Sequence, residues 1–396
     1  MKKDLIFITD NYPFGQGETF IENEIEYLAE NFKNIYIVSK NQNDIQTREV
    51  PKNCKIYRIK KDLKKLINLY LDKIYLVDLF KEFKLRNLKK LVSFQFYGKL
   101  IEIKVKEIIK ENNLKAKEIV YYSYWFREGA YAGSILKRKN KIDKFISRAH
   151  GYDIFFERGM QPFKNIILRD LIKLYPACKN SENYLKKYYS KYSDKIEYSY
   201  LGTINNKKFI HISRNEEINI VSCSNLIKLK RVNLIIEALK KLKIKDKKIK
   251  WYHIGDGLER NTLEKLSKEL KIDYEFIGAI SNQEVLKFYG EKEIYFFIHM
   301  SSTEGGTPVS MMEAQSFGIP IIATNVGGVA EIVNDRIGIL LAVNPKIEEI
   351  AEAIEKMINL DENEYNEYRK NSYKNWQENF NAEKNYKNFI SEILKV

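Results

Sequence analysis

The sequence predicts an α/β protein built from two successive doubly wound halves, each a parallel sheet covered by helices. Short apolar runs alternate with longer helix-like segments almost from end to end, which is typical of βαβ units. At 396 residues the chain is too long for one ordinary core. The alternation is interrupted once, by a polar stretch over 203–217 that we interpret as a hinge or linker.

The first half begins with an apolar run and a helix-like segment, and the same alternation returns later. Predicted strands lie at 4–10, 34–40, 118–125 and 144–151, and predicted helices lie at 19–32 and 181–192. The second half repeats the pattern at shorter intervals. Its predicted strands lie at 218–224, 249–257, 274–280, 294–301 and 320–328, with helices at 231–243, 259–270 and 282–290. Because ligands bind beyond the carboxyl ends of strands in open α/β sheets, we expect the site in a cleft between the halves.

Composition excludes several classes of protein. With 44% hydrophobic and 31% charged residues and no long apolar run, the chain has the character of a globular protein without a membrane span. Its start, "MKKDLIFITDNYPFG", is predicted to be a first strand rather than a signal peptide. The three cysteines (Cys54, Cys178 and Cys223) are far apart and lack metal-binding spacing, which favours a reducing cytoplasm.

The net charge of +15 is concentrated in residues 55–118, which hold 18 Lys and Arg against 8 Asp and Glu. Apolar residues recur there at roughly helical spacing with lysines between them. Such a basic amphipathic surface suits an anionic membrane face. The alternative is that these lysines merely solvate helices in a chain rich in Lys, Asn and Ile. Nucleic-acid binding is disfavoured, because no nucleic-acid motif accompanies the charge.

Glycine-containing loops follow several predicted strands. Gly15 and Gly17 join the first strand to the first helix, but the third glycine of a dinucleotide fingerprint is absent, which disfavours a nicotinamide cofactor. His150 directly follows another strand and could face a ligand. A lone histidine of this kind is also often a hydrogen-bonded structural residue.

The stretch "STEGGTPVSMMEAQSFGIP" at 302–320 places Gly305 and Gly306 before a helix-like run, with Pro308 in the first turn of the predicted helix. A glycine loop feeding a helix N-terminus favours an anionic ligand such as a diphosphate, although it is also compatible with a tight connecting turn. A second glycine pair lies in 324–333. The chain has no Asp-x-Asp motif for a divalent ion, so we expect Lys230 and backbone dipoles to balance the charge of a diphosphate.

Together these stretches resemble glycosyltransferase family 4, retaining enzymes of the GT-B fold that use nucleotide-sugar donors without a metal. The residues that carry the resemblance are 15–17, 148–154, 224–231, 253–260, 276–285 and 301–333. The resemblance implies two Rossmann-like domains facing across a cleft. It places an acceptor-binding domain over 1–205, a donor-binding domain over 206–375 and a returning C-terminal helix over 376–396.

The resemblance also implies roles for individual residues. Three are implied to take part in catalysis: Lys230 contacts the phosphates, His150 faces the donor sugar, and Glu304 matches the first of two family acids. The implied donor-binding residues are Gly15, Gly17, Asn225, Arg231, Gly305, Gly306, Thr307, Pro308, Val309 and Glu313, of which Glu313 binds the ribose hydroxyls.

Two positions depart from the family pattern. Asn225 stands where the family has a phosphate-binding arginine, so that charge must come from Lys230 or Arg231. Eight residues separate Glu304 from Glu313 where the family has seven, so Glu304 can serve only if the glycine loop bulges by one residue.

The resemblance therefore predicts a cytoplasmic hexosyltransferase, peripheral at the inner membrane face, that acts in cell-surface polysaccharide synthesis. It would move a sugar with retention from a nucleotide-diphosphate sugar to a glycan or lipid-linked acceptor, without a cofactor or a metal. One alternative is a sugar-nucleotide epimerase of the same architecture. Another is a catalytically weak subunit that binds nucleotide sugars.

Overall fold

A computed structural model describes residues 2–15, 17–43, 45–61, 69–82, 87–205, 217–244 and 246–395. The chain divides into two compact units, Met1–Tyr200 with Tyr386–Val396 as unit 1 and Leu201–Asn385 as unit 2. Most of the stretch predicted to be a linker, 206–216, lies outside the described residues, as do 62–68 and 83–86 of the basic segment.

Unit 1 contains a six-stranded parallel sheet with the order β3-β2-β1-β4-β5-β6. Its strands are β1 (Asp4–Thr9), β2 (Ile35–Ser39), β3 (Cys54–Arg58), β4 (Ile119–Ser123), β5 (Lys144–Ala149) and β6 (Lys173–Pro176). The chain winds from the centre to one edge and then returns to build the other half. The edge strands β3 and β6 were not predicted, because β3 is only half buried and β6 has four residues.

The helices of unit 1 cover both faces of this sheet. Before the C-terminal helix, those longer than one turn are α1 (Ile21–Asn31), α2 (Lys73–Glu82), α3 (Leu88–Glu111), α4 (Glu128–Arg138), α5 (Lys164–Asp170) and α6 (Lys179–Tyr188). A single helical turn, Gly151–Ile154, follows β5. Successive residues of β1 point to opposite faces, so Ile6 and Ile8 join the apolar cluster of α3 and α4, whereas Leu5 and Phe7 join the cluster of α1. Such strands are buried on both sides, which explains their continuous apolar character.

Unit 2 repeats the architecture with the order β12-β11-β10-β7-β8-β9, again all parallel. Its strands are β7 (Glu217–Cys223), β8 (Lys248–Ile254), β9 (Tyr274–Gly278), β10 (Ile294–His299), β11 (Ile321–Thr324) and β12 (Gly338–Leu341). Its helices are α7 (Val232–Lys241), α8 (Arg260–Leu270), α9 (Asn282–Glu291), α10 (Val309–Ser316), α11 (Ile347–Asn359) and α12 (Glu362–Asn375). The two sheets confirm the predicted α/β class with two doubly wound halves.

The last helix, α13 (Ala382–Lys395), contributes apolar side chains to unit 1. Phe389, Ile390 and Ile393 are buried in the same cluster as Leu5 and Phe7 of β1. The guanidinium of Arg148 lies 4.0 Å from the centroid of the Phe389 ring. The C-terminal residues are therefore part of the core of unit 1.

Parallel strands bring their carboxyl ends to one edge of each sheet, and the loops of interest leave from those edges. In unit 1 these loops follow β1, β4 and β5, and in unit 2 they follow β7, β10 and β11. Within the described ranges, no helix combines the length and apolarity needed to cross a membrane.

Candidate functional site

An ion pair and a histidine meet in unit 2 at the carboxyl end of its sheet. Lys230 ends a short turn after β7, His299 is the last residue of β10, and Glu304 lies in the loop that follows. Glu304 Oε1 accepts hydrogen bonds from Lys230 Nζ at 2.5 Å and from His299 Nε2 at 2.7 Å. The side chains of Lys230 and Glu304 are 21% and 14% exposed, so the pair is largely shielded from solvent.

The electrostatics of this group keep Glu304 ionised. Burial alone raises the pKa of Glu304, but the hydrogen bond from His299 and the ammonium of Lys230 outweigh burial and hold the pKa well below its usual range. Lys230 and Glu304, two residues for which the sequence predicted catalytic roles, are thus in direct contact. His299 was missed, although a polar residue at the end of an apolar strand is a signal that could have identified it.

The two glycine pairs of unit 2 pack against each other. Gly328 donates its N–H to the carbonyl of Gly306 at 3.2 Å, and a Cβ added at Gly327 would lie 2.2 Å from the carbonyl oxygen of Glu304. Gly327 also has a φ of 56°, in the left-handed region that favours glycine. The loop after β11 therefore supports the loop that carries Glu304.

Helix α10 begins one residue later than predicted. Pro308 has extended ψ and occupies the N-cap, and Val309 is the first helical residue. The correction is small, because the ring of Pro308 still pre-sets the backbone at the helix start. Thr307 is buried immediately before it, and residues 311–316 are all buried.

Glu313 lies in a different environment from Glu304. It is 5% exposed and accepts one hydrogen bond, from Asn282 Nδ2 at 2.5 Å. Burial raises the pKa of Glu313 to about 7, and the bond from Asn282 only partly offsets that effect. The Glu313 charge in turn helps burial to raise the pKa of the Cys223 thiol to about 12. Glu313 therefore holds its proton to a higher pH than an exposed carboxyl group does.

The guanidinium of Arg231 binds carbonyl groups of unit 2. Its backbone is left-handed, with a φ of 48°, and its guanidinium donates to the carbonyls of Met300, Ser301 and Val343 at 2.7–2.8 Å. These bonds fix the loop after β10.

Asn225 is exposed at the surface of unit 2. The donor-binding roles of Asn225 and Arg231 stay predictions.

In unit 1, the loop after β1 is organised around Glu18, which the sequence reasoning missed. The Glu18 carboxylate accepts the backbone N–H groups of Asp10, Asn11 and Tyr12 at 3.0, 2.6 and 2.6 Å, and it also accepts a hydrogen bond from Trp125 Nε1. The acid directly follows the glycine loop, and its own φ is 62°. One carboxylate thus sets the path of the whole loop.

The two glycines of this loop are held from the other side by Arg48. Its guanidinium donates to the carbonyl of Gly17 at 2.6 Å and to that of Gly15 at 3.2 Å. Gly15 has a φ of 66°. The two glycines therefore help to set the backbone path of this loop. Their contact with a donor stays a prediction.

His150 lies beside this loop, among aromatic rings. Its ring centroid is 4.9 Å from that of Tyr124 and 4.8 Å from that of Trp125, whose indole N–H binds Glu18. Burial, together with the nearby charge of Arg148, lowers the pKa of His150 to about 3, so the imidazole is neutral at physiological pH. Its Nε2 atom is buried and has no hydrogen-bond partner within the described ranges.

A charged cluster adjoins the same sheet edge. Lys40 contacts Asp10 at 2.7 Å and Glu128 at 2.8 Å, and Arg127 lies 3.3 Å from Glu128. In the part of the chain that the structure describes, no group of three or more His, Cys, Asp or Glu side chains is arranged to hold a metal ion.

Residues 203–375 match the family model described as glycosyl transferases group 1, and this range contains the Lys230–Glu304 pair, both glycine pairs and Glu313. Unit 2 matches the group 1 glycosyltransferase family over nearly all of its length. The predicted family is therefore confirmed over this range.

Curated proteins similar to this chain carry names that refer to different products. The O-antigen biosynthesis glycosyltransferase WclY of Escherichia coli is 28% identical over 46% of this chain and 54% of its own length. The N-acetyl-alpha-D-glucosaminyl L-malate synthase of Bacillus anthracis is 28% identical over 32% of each chain. A component of the human phosphatidylinositol N-acetylglucosaminyltransferase is 26% identical over 37% of this chain and 29% of its own length. The chain thus spans between about a third and a half of these relatives.

Solved structures match this chain over its whole length. Anabaena HepE in complex with UDP aligns with a TM-score of 0.71 and 14% identity, covering 100% of both chains. Sucrose-phosphate synthase of Thermosynechococcus elongatus aligns with a TM-score of 0.73 and 15% identity, covering 100% of this chain and 99% of that one. At such identities the likeness establishes the fold alone, and it confirms the predicted GT-B class.

Proposed function

We propose that this protein is a retaining glycosyltransferase of cell-surface polysaccharide synthesis, which moves a sugar from a nucleotide-diphosphate sugar to a glycan or lipid-linked acceptor. The single observation that carries the proposal is the Lys230–Glu304–His299 group beside the glycine loop of a group 1 domain. The name of WclY, an O-antigen enzyme, and the UDP bound to HepE support the class of pathway and of donor.

In the proposed reaction Lys230 stabilises the departing diphosphate. As the bond between the anomeric carbon and the phosphate oxygen breaks, negative charge grows on that oxygen, and a preorganised ammonium and backbone N–H groups lower the energy of that state. To contact the diphosphate, the Lys230 ammonium must either bind it together with Glu304 or break its contact with Glu304. The acceptor hydroxyl attacks the same face, and its proton passes to the departing phosphate oxygen.

Glu304 and Glu313 take different roles in this proposal because their environments differ. Glu304 stays ionised, so its carboxylate stabilises positive charge as it develops on the sugar. Glu313 binds the ribose hydroxyls from its buried position on α10. His150, which is neutral, orients the sugar by offering Nε2 as a hydrogen-bonding partner. With the diphosphate charge balanced by Lys230 and backbone N–H groups, the proposed reaction uses no metal or cofactor.

We further propose that segment 55–118 contacts an anionic membrane surface. Helix α2 exposes Val77 and Phe80, which are 49% and 70% exposed, and places Lys73 and Lys81 on the same side. Exposed apolar side chains with lysines beside them suit the interface of an anionic bilayer. Vesicles with about 30% anionic lipid should bind the protein at low salt and release it at high salt. Equal binding to neutral vesicles, or none to either, would contradict the proposal.

The test of the function begins with donor binding. UDP-, GDP- and ADP-sugars are compared for thermal stabilisation, since a ligand that binds only the folded state raises its melting temperature. The stabilising donor is then incubated with and without acceptor glycans. Sugar transfer with retained anomeric configuration supports the proposal. Conversion of the donor without any acceptor would indicate the epimerase alternative, and binding without turnover would indicate a protein that only binds nucleotide sugars.

A further inference from the structure

An open cavity of about 580 Å³ lies in unit 1, apart from the residues assigned above to the donor. Its lining includes four cationic side chains and one acidic side chain, namely Lys89, Lys90, Arg127, Arg158 and Glu128. The volume is in the range of small-molecule sites, roughly 300–1,000 Å³. A cavity lined mainly by cations is suited to an anion.

The one acid of the lining does not cancel the positive charge of the cavity. Glu128 contacts Lys40 at 2.8 Å as well as Arg127 at 3.3 Å, so cations already balance its charge. Burial raises the pKa of Glu128, but Lys40 and Arg127 outweigh burial and hold it at about 2. Lys89 and Lys90, in the first turn of α3, form no ion pair within the ranges that the structure describes. The cavity therefore presents net positive charge.

An aromatic ring from the single helical turn after β5 borders the cavity. Tyr152 is 65% exposed, and the guanidinium of Arg158 lies 5.9 Å from the centroid of its ring. An exposed tyrosine ring offers an apolar face to the C–H groups of a sugar while its hydroxyl remains in water. The wall thus combines a stacking surface with a cation able to bind a carboxylate or phosphate in bidentate fashion.

Arg127 connects the cavity to the loop after β1 in unit 1. Arg127 lines the cavity and also lies 3.7 Å from Asp10, the first residue after β1. Asp10 donates its backbone N–H to Glu18, which organises the glycine loop. A ligand in the cavity would therefore lie next to the loop for which the sequence predicts a substrate contact.

We infer that this cavity is the acceptor subsite and that the acceptor is a sugar carrying an anionic group, which Lys89, Lys90 and Arg158 bind while Tyr152 stacks on the ring. This inference rests on the proposed function, because it assumes that the protein transfers a sugar to an acceptor. The anionic group is either the phosphate that links a sugar to its carrier or the carboxylate of a uronic acid. Both offer the paired oxygens that guanidinium and ammonium groups bind.

The test measures binding of three probes to the full chain by calorimetry, with UDP present in excess so that the donor site is occupied. The probes are methyl glucoside, methyl glucuronide and glucose 1-phosphate. The variants are Lys89→Ala/Lys90→Ala and Arg158→Ala, the second of which lies outside the segment proposed to contact membranes. Lys240→Ala/Lys241→Ala is the matched control, since it removes another adjacent pair of exposed lysines from a helix.

We expect at least one anionic probe to bind tenfold more tightly than methyl glucoside, and its affinity to fall at least tenfold in both cavity variants but not in the control. Preference for glucose 1-phosphate identifies the linking phosphate, and preference for the glucuronide identifies a uronic acid. Equal affinity for neutral and anionic probes, or wild-type affinity in the cavity variants, would overturn the inference. UDP binding is measured beforehand in a titration without probes, so a failure of the donor proposal is seen separately.

Discussion

Lys230 Nζ lies 2.5 Å from Glu304 Oε1, although the two residues are 74 positions apart in sequence. The pair is partly shielded from solvent, and His299 Nε2 shares the same carboxylate oxygen at 2.7 Å. Removing one partner of a shielded pair leaves the other charge uncompensated, whereas removing both does not. The contact therefore allows the contributions of the two residues to be separated experimentally.

Replacing Lys230 with alanine should slow transfer strongly. If its ammonium stabilises the departing diphosphate, the loss of about 2–4 kcal/mol of transition-state stabilisation corresponds to a rate decrease of roughly 30- to 1,000-fold. The melting temperature should also fall, because the largely shielded carboxylate of Glu304 loses its cationic partner. Steady-state kinetics on the native donor provide the measurement. Lys228→Ala is the control, since Lys228 is an exposed lysine in the same turn. Near-normal turnover in the Lys230 variant would remove this residue from the site.

Replacing Glu304 with glutamine should mainly lower kcat, roughly 100-fold if its carboxylate stabilises charge that develops only in the transition state. The variant keeps the shape of the side chain but leaves Lys230 without its anionic partner. Because the two residues act as a unit, Lys230→Ala/Glu304→Gln should be no slower than the slower single variant. Rate losses that multiply would show that the residues act independently. A Glu304 variant at full speed would show that this acid is outside the chemistry.

Glu313 should make stability depend on pH in a defined window. Its pKa is 4.5 as a free side chain and about 7 in the folded protein, so the folded state binds more protons between these values. The free energy of unfolding should therefore fall as pH rises from about 4.5 to about 7, by about 3 kcal/mol at most. Thermal unfolding across this range should be flatter for Glu313→Gln. The same variant should raise the KM for the donor with little change in kcat, because a ribose contact exists before and during the reaction. Identical pH profiles for the variant and wild type would contradict the assignment.

Glu18 should be essential to the loop after β1. Glu18→Gln keeps the shape of the side chain but removes the charge that three backbone N–H groups and the indole of Trp125 share. Hydrogen bonds to a charged group contribute about 1.5–3 kcal/mol each, so we expect a loss of at least that amount in urea unfolding. The fluorescence of Trp125 should also change. Glu26→Gln, which alters an exposed acid on the neighbouring helix, is the control. Unchanged stability in the Glu18 variant would show that the loop is held by other contacts.

Much of the fold could be predicted from local patterns. Continuous apolar runs such as Ile294–His299 indicated buried strands, and the glycines of 305–306 and 327–328 marked loops at strand ends. The strands that were missed, β3, β6 and β12, are short or only partly buried, so their apolar signal is weak. The interaction of Glu18 was missed because nothing in "GQGET" indicates that its side chain turns back onto the preceding backbone.

The sequence by itself determined the α/β class, the order of most strands and helices, and the loops in which Lys230, His150 and Glu304 lie, because each depends on residues close together along the chain. Only the tertiary structure decided that Lys230 meets Glu304 and His299, that the guanidinium of Arg231 binds loop carbonyls, and that Glu313 is buried with a single hydrogen bond. Those contacts depend on the order of strands in the sheet, which places β7 beside β10. Burial then sets the charge of each group, since a carboxyl removed from water stays ionised only where a cation or hydrogen-bond donor replaces that water.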